Sequence, residues 1–165
     1  MSRVELRVNG VATSREVDDR TLLVELLRGE LGLTGTHVGC DTSQCGACTV
    51  KLDGAAVKSC TVLAAQASGG EVLTVEGLST PQQLGEVPAA FVACHGLQCG
   101  FCTPGMMMAI DYYLDTDGSL DDERIHRALE GNICRCTGYV NIIEAVKHAA
   151  HARIEAGKPV GRQHG

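Results

Sequence analysis

Gly39-Cys40-Asp41-Thr42-Ser43-Gln44-Cys45-Gly46-Ala47-Cys48-Thr49-Val50 is the stretch from which the rest of the chain is read. Three cysteines share one short loop, separated by four residues and then by two, and Cys60 follows twelve positions further on. Three thiolates on one tight loop grip one face of a compact metal centre, and a fourth from elsewhere closes it. Gly39, Gly46 and the small Ala47 keep bulk away from the sulfurs. Backbone N–H groups are then free to point at them and stabilise a more negative state of the centre. After the loop, Val50 and Leu52 alternate into a turn at Asp53-Gly54, and residues 72–75 read as another short strand. Before it, Val4, Leu6 and Val8 alternate, Asn9-Gly10 is a two-residue hairpin signal, and a second strand runs to Val17. Thr21 is placed to cap a short helix with Leu22, Leu23, Leu26 and Leu27 on its buried side, closed by Gly32. Strands crossed by one helix, with an open cysteine loop, make a small α+β domain over residues 1–77.

The pattern changes after it. Residues 78–90 carry Ser79, Thr80, Pro81, Gln82, Gln83, Gly85 and Pro88 and read as a connector. Beyond, over 91–157, the periodicity is helical. Thr103-Pro104 suits a cap and first turn for a helix through Ile110 to Leu114. Ser119-Leu120-Asp121-Asp122 resembles a capping box opening a helix through Ile125 and Leu129 that ends at Gly131. Asn141 is placed to cap a last helix through Ile142, Val146, Ala149 and Ala150. This half is all-α, and residues 158–165 read as a flexible tail.

Composition narrows the function classes. A net charge of −6 disfavours nucleic acid or an anionic membrane surface as partner. Aromatic residues are 3% with no Trp, so there is little surface for stacking on bases. No apolar stretch approaches a membrane span, and the N-terminus alternates like a strand instead of carrying the apolar run of a signal peptide. A cytoplasmic location follows as the expectation. Thiols stay reduced there, so nine cysteines point to metal ligation and away from disulfides.

The four- and two-residue spacing of Cys40, Cys45 and Cys48, with Cys60 remote, is that of plant-type ferredoxins, which hold a 2Fe–2S cluster. A structural zinc site would pair two close cysteines with two others, which does not fit three close and one remote. The second set is Cys99-Gly100-Phe101-Cys102 and, far downstream, Cys134-Arg135-Cys136. On spacing alone these two pairs suit zinc or a cluster about equally, although a one-residue gap is unusual for zinc. Thr103-Pro104 puts Cys102 at a helix start, where the dipole favours a thiolate.

Three motifs occur in order: residues 39–50, His95-Gly96-Leu97-Gln98-Cys99-Gly100-Phe101-Cys102-Thr103-Pro104-Gly105, and Gly131-Asn132-Ile133-Cys134-Arg135-Cys136-Thr137-Gly138-Tyr139. Together they resemble the small iron–sulfur subunit of the molybdenum hydroxylases, the xanthine dehydrogenase and aldehyde oxidase family, across roughly residues 3–155. Within it, the first motif with Val57-Lys58-Ser59-Cys60-Thr61 looks most like carbon monoxide dehydrogenase-type small subunits.

The resemblance implies a β-grasp ferredoxin domain followed by a four-helix domain. It implies two 2Fe–2S clusters, one on Cys40, Cys45, Cys48 and Cys60, the other on Cys99, Cys102, Cys134 and Cys136. It implies a large subunit carrying molybdopterin and a medium subunit carrying FAD. Electrons would pass from the molybdenum centre through the helical-half cluster and then the ferredoxin-type cluster to FAD. Cys136 matches the ligand beside the pterin, and Gln98 a residue that hydrogen-bonds it; an ordinary exposed loop amide is the alternative. The substrate would be carbon monoxide, a xanthine, an aldehyde or another N-heterocycle. The chain has no catalysis of its own, since no acid–base or nucleophilic constellation stands apart from the cysteines. A free-standing two-cluster carrier is the second class of function, and a zinc-stabilised module the third.

The remaining residues have plainer readings. His37 and His95 lie near the cysteines, but a Rieske-type centre needs two His on one iron. Met106, Met107 and Met108 suit a core or a subunit contact, Tyr112 and Tyr113 packing, and Asp121, Asp122 and Glu123 a helix-start face. Arg135 balances cluster charge or is simply solvated. Cys94, Cys99 and Cys102 repeat the spacing of the first loop, which makes five candidates for a four-thiolate site. The family pattern leaves Cys94 out, near the end of a helix through Phe91 and Val92, as a small buried apolar residue or a subunit contact.

Overall fold

Asn9 and Gly10 both take left-handed backbone angles, φ 50° and 80°, and so join β1 (Ser2–Val8) to β2 (Val11–Val17) in the computed structural model, which describes residues 1–161. Asp53 and Gly54 do the same, at φ 50° and 80°, between β3 (Thr49–Leu52) and β4 (Ala55–Lys58). The short β5 (Glu71–Leu73) lies between the two hairpins, parallel to β1 and antiparallel to β3, giving the order β2-β1-β5-β3-β4. Strand β4 has no alternation of its own (Ala-Ala-Val-Lys) and is made by its hairpin partner, so pattern reading passes it over.

The helix across this sheet is shorter than its leucines suggest. Regular α-geometry covers only α1 (Leu23–Glu25), and a wider π-type turn over Leu26–Glu30 carries it on to Gly32 at φ 68°. Leu23, Leu26 and Leu27 are fully buried against Val4, Leu6, Val8, Val50 and Val72. Thr21 is not its cap. The chain enters through extended Leu22, whose N–H donates to the Glu25 carboxylate at 2.8 Å, while the Thr21 carbonyl accepts from Ala64.

Four helices form the second half: α2 (Glu86–Ala93), α3 (Thr103–Thr116), α4 (Asp122–Leu129) and α5 (Val140–Glu155). Phe91, Met106, Ile110, Leu114, Ile125, Leu129, Ile142 and Val146 meet in their core. Helix α2 begins inside the stretch read as a connector, because Pro88 sits in its first turn, where a missing N–H costs nothing. Each expected cap moves by one or two residues. Cys102, not Thr103, is the N-cap of α3, with Pro104 inside the first turn. Asp121, not Ser119, caps α4, accepting from the Arg124 N–H at 3.1 Å. Left-handed Tyr139 (φ 68°) opens α5, and the Asn141 side chain instead donates to the His95 carbonyl at 3.2 Å. Of the expected tail, Lys158 pairs with Glu86 and the Gly161 N–H donates to Leu114, so residues 158–161 close back on the helices. Residues 162–165 lie outside the described residues.

An ion cluster joins the two halves, buried at Lys51, Asp111 and Arg153 and open to solvent at Asp115. Lys51 on β3 reaches Asp111 at 2.7 Å and Asp115 at 2.5 Å on α3, and Arg153 on α5 binds both carboxylates from the other side. Among the described residues no helix is long and apolar enough to cross a membrane.

Candidate metal centres

The β3–β4 hairpin explains why the fourth cysteine of the first set lies twelve positions away. Thr49 pairs with Lys58, so the chain entering β3 lies beside the chain leaving β4. Ser59 fastens this end, donating from its N–H at 3.3 Å and its hydroxyl at 2.6 Å to the Cys48 carbonyl. Cys60, in the short turn Ser59–Thr61, thereby comes beside Cys48, whose sulfur adds to the effect of burial on its thiol. Both are buried. Cys40 and Cys45 form the other contact, with the Cys45 N–H 3.4 Å from the Cys40 sulfur. Amides of Cys45 and then Thr42 aimed at that sulfur lower its pKa to about 6, while burial pushes the Cys60 thiol up to about 11.

The second set also closes in twos, crosswise between its motifs. Cys136 lies 3.5 Å from Cys99, and Cys102 stands beside Cys134, close enough that each shifts the other's thiol. Cys99 and Cys136 are exposed, whereas Cys102 and Cys134 are half-buried against the helical core. The helix dipole does not win at Cys102. Burial, with the Cys134 contact next, raises its thiol to about 12. Cys134 moves the other way: burial pushes it up, but the hydroxyl and amide of Thr137 outweigh that and lower it, with the hydroxyl 3.1 Å from the sulfur. Amide hydrogen bonding at Phe101 likewise lowers Cys99. Each centre thus contains sulfurs held toward the thiolate by hydrogen bonds.

Among the described residues no three His, Cys, Asp or Glu side chains close on a single ion. The sulfurs come in twos, four times over. Two thiolates per iron is what a two-iron centre asks of its protein, whereas tetrahedral zinc draws all four to one point. The glycine cradle fits as well: a Cβ on Gly39 would stand 3.2 Å from the Cys45 sulfur.

The two loops touch directly. The Ile133 N–H, one residue before Cys134, donates to the Cys45 carbonyl at 2.8 Å, and the Asn132 amide donates to the Gly46 carbonyl at 2.9 Å. Phe101, between Cys99 and Cys102, stacks on His37 with ring centroids 4.9 Å apart. The His37 Nδ1–H donates to the Phe101 carbonyl at 2.7 Å, so His37 is a loop-to-loop contact. Sequence reading missed Lys51, Lys58, Asp111, Asp115, Asn132 and Arg153. For Asp111 and Asp115 a signal existed, two acids four apart within an otherwise apolar helix.

The other singled-out residues fall as follows. Cys94 is half-buried at the end of α2, packed against the helical core, with Glu144 as its charged neighbour. Gln98 and Arg135 are exposed. Met106, Met107 and Met108 are buried, and the Tyr113 hydroxyl donates to the Ser119 carbonyl.

Known proteins match both halves. A family of 2Fe-2S iron-sulfur cluster binding domains matches residues 6–79, and a family of [2Fe-2S] binding domains matches residues 74–147. The chain is 53% identical over 147 residues to caffeine dehydrogenase subunit gamma of Pseudomonas sp. (strain CBB1), covering 87% of this chain and 88% of that one. Its fold superposes on quinoline 2-oxidoreductase from Pseudomonas putida 86 with a TM-score of 0.90 at 39% identity, covering 95% of this chain and 98% of that one. It also superposes on aldehyde oxidoreductase from Desulfovibrio gigas, at 0.88 and 40% identity, covering 96% of this chain but 18% of that longer one. With both halves matched at this similarity, the chain belongs to the small iron–sulfur subunits of the molybdenum hydroxylases, the electron-transfer subunits of those complexes.

Proposed function

We propose that this chain relays electrons from a molybdopterin in a large partner subunit to FAD in a medium one. In this reading Cys40, Cys45, Cys48 and Cys60 hold one 2Fe–2S cluster and Cys99, Cys102, Cys134 and Cys136 the other. The observation that carries it is the pairing of sulfurs: Cys40 with Cys45, Cys48 with Cys60, Cys99 with Cys136, Cys102 with Cys134. When bound, each cluster supplies a carrier for one electron at a time. The chain's residues do the rest. Hydrogen bonds from backbone amides hold sulfurs as thiolates, and Cys48 and Cys60 are shielded from water. The Ile133-to-Cys45 hydrogen bond keeps the two loops in register.

Exposure supports the entry side. Cys99, Cys136 and Gln98 are exposed, with Leu97, Phe101, Ile133 and Val140 also exposed on the same motifs or just after them, an apolar setting suited to a partner's molybdopterin domain. Caffeine and quinoline, named by two of the relatives, are N-heterocycles, which favours such a ring as substrate of the complex over carbon monoxide. In the D. gigas relative the matched part is a minor share of a longer chain, which supports function within a larger assembly and not as a free carrier. Purification of the native complex, with dye reduction assayed on N-heterocycles, tests this. Recovery of the chain alone, without molybdenum or flavin, would contradict it.

A further inference from the structure

Lys58 ends β4, two residues before Cys60, and its ammonium is half-buried. All three of its hydrogen bonds go to uncharged oxygens: the Thr49 hydroxyl at 3.0 Å, the Gly131 carbonyl at 2.8 Å and the Asn132 side-chain oxygen at 3.4 Å. The other interior cations are treated differently. Lys51 and Arg153 share the carboxylates of Asp111 and Asp115. Among the described residues no carboxylate forms an ion pair with Lys58; burial pushes its ammonium down, and the Cys48, Cys45, Cys60 and Cys40 sulfurs act against that. Burying an ammonium without a counter-charge is costly. The chain keeps one there, bonded to Thr49, the neighbour of Cys48, and carried two residues before Cys60.

We infer that Lys58 sets the reduction potential of the ferredoxin-type centre, raising it above what the same four thiolates would give alone. Four thiolates, two sulfides and two irons carry a net negative charge that grows by one on reduction. A fixed cation nearby in a poorly solvated setting therefore favours the reduced form. Because the cation sits on the strand end that leads to Cys60 and bonds Thr49 beside Cys48, its effect falls mainly on the first set. That biases electrons toward the ferredoxin-type centre, in the direction of the proposed relay. Lys58 acts through the sulfurs and is therefore a positioning residue. Its bonds to Gly131 and Asn132 also tie this charge to the loop that leads to Cys134.

The inference rests on the two-cluster reading, and the test separates them. In the complete complex, both centres are titrated by potentiometry followed by electron paramagnetic resonance, with the helical-half signal identified by its loss in Cys102→Ser. Lys58→Met, and Lys58→Gln, which keeps a donor for the Gly131 carbonyl, should both shift the ferredoxin-type midpoint downward and move the other less. Lys58→Arg should restore the wild-type value. A merely structural role would lower thermal stability and leave the midpoint in place. An unmoved midpoint in either neutral variant, or an equal shift at both centres, overturns the inference. Absence of two signals in the wild-type complex overturns the reading beneath it.

Discussion

Cys94 and Cys102 sit eight positions apart and separate on burial and company. Cys94 packs at the end of α2 against the helical core, and burial, with Glu144 adding to it, raises its thiol. Cys102 caps α3 and touches Cys134. Cys94→Ser should therefore leave iron content and both paramagnetic signals intact, while Cys102→Ser should remove the helical-half signal. Loss of that signal in Cys94→Ser together with its retention in Cys134→Ser would falsify the ligand assignment. Gly105 makes a second case. A Cβ there would run into the Gly46 carbonyl oxygen and the Ala47 backbone, because the first turn of α3 presses directly on the first cysteine loop. Gly105→Ala should cost about 1–3 kcal/mol as overpacking. It should also make the first-set iron easier to remove by chelator, readable as bleaching of the visible spectrum. At this scale the grouping of the cysteines was legible because cysteine is rare and its chemistry narrow. Lys58 and Asn132 were not, since nothing local shows that a strand-end lysine will meet a glycine carbonyl 73 positions away.

Between elements, the lock of Lys51, Asp111, Asp115 and Arg153 holds β3 to α3 and α5. Removing one partner leaves charge behind in the interior. Arg153→Leu should cost about 3 kcal/mol, the low end for a broken buried pair, because Lys51 still serves Asp111. In a chain of this size that is a fall of about 6–12 °C in Tm. The lock should also shape the pH profile. Burial pushes Asp115 up, but hydrogen bonds from Lys51 and Arg153 outweigh it and hold the carboxyl below its ordinary value of 3.8. Its contribution is complete above that value and lost as pH falls through the lowered one. Burial pushes Lys51 down, but Asp111 and Asp115 outweigh it and raise it above 10.5. That contribution is complete below 10.5 and lost as pH rises through the raised value. Unfolding measured against pH should show both limbs, and Lys51→Met should lose the alkaline one. The elements were legible where periodicity was long, as in α3 and α5, or a turn was unmistakable, as at Asn9-Gly10. The caps were misread because Cys102, Leu22 and Tyr139 take those positions through tertiary contacts, overriding the neighbouring Thr103, Thr21 and Asn141.

For the whole molecule, the two halves are joined through the same loops that carry the cysteines. Ile133 bonds Cys45, Asn132 bonds Gly46, and Phe101 stacks on His37. Holding two one-electron centres at a fixed separation is what an electron relay needs of its protein. The exposed Leu97, Phe101, Ile133 and Val140 leave the helical half with a face to cover, so the chain expressed without partners should be poorly soluble or short-lived. The most direct test of the account is iron, zinc and acid-labile sulfide analysis of the purified protein, with spin quantitation after full reduction. Two 2Fe–2S centres predict a red-brown protein with about four irons and four sulfides per chain and two distinguishable signals of one spin each. A colourless protein containing zinc and no sulfide, or a single signal accounting for one spin per chain, would contradict it.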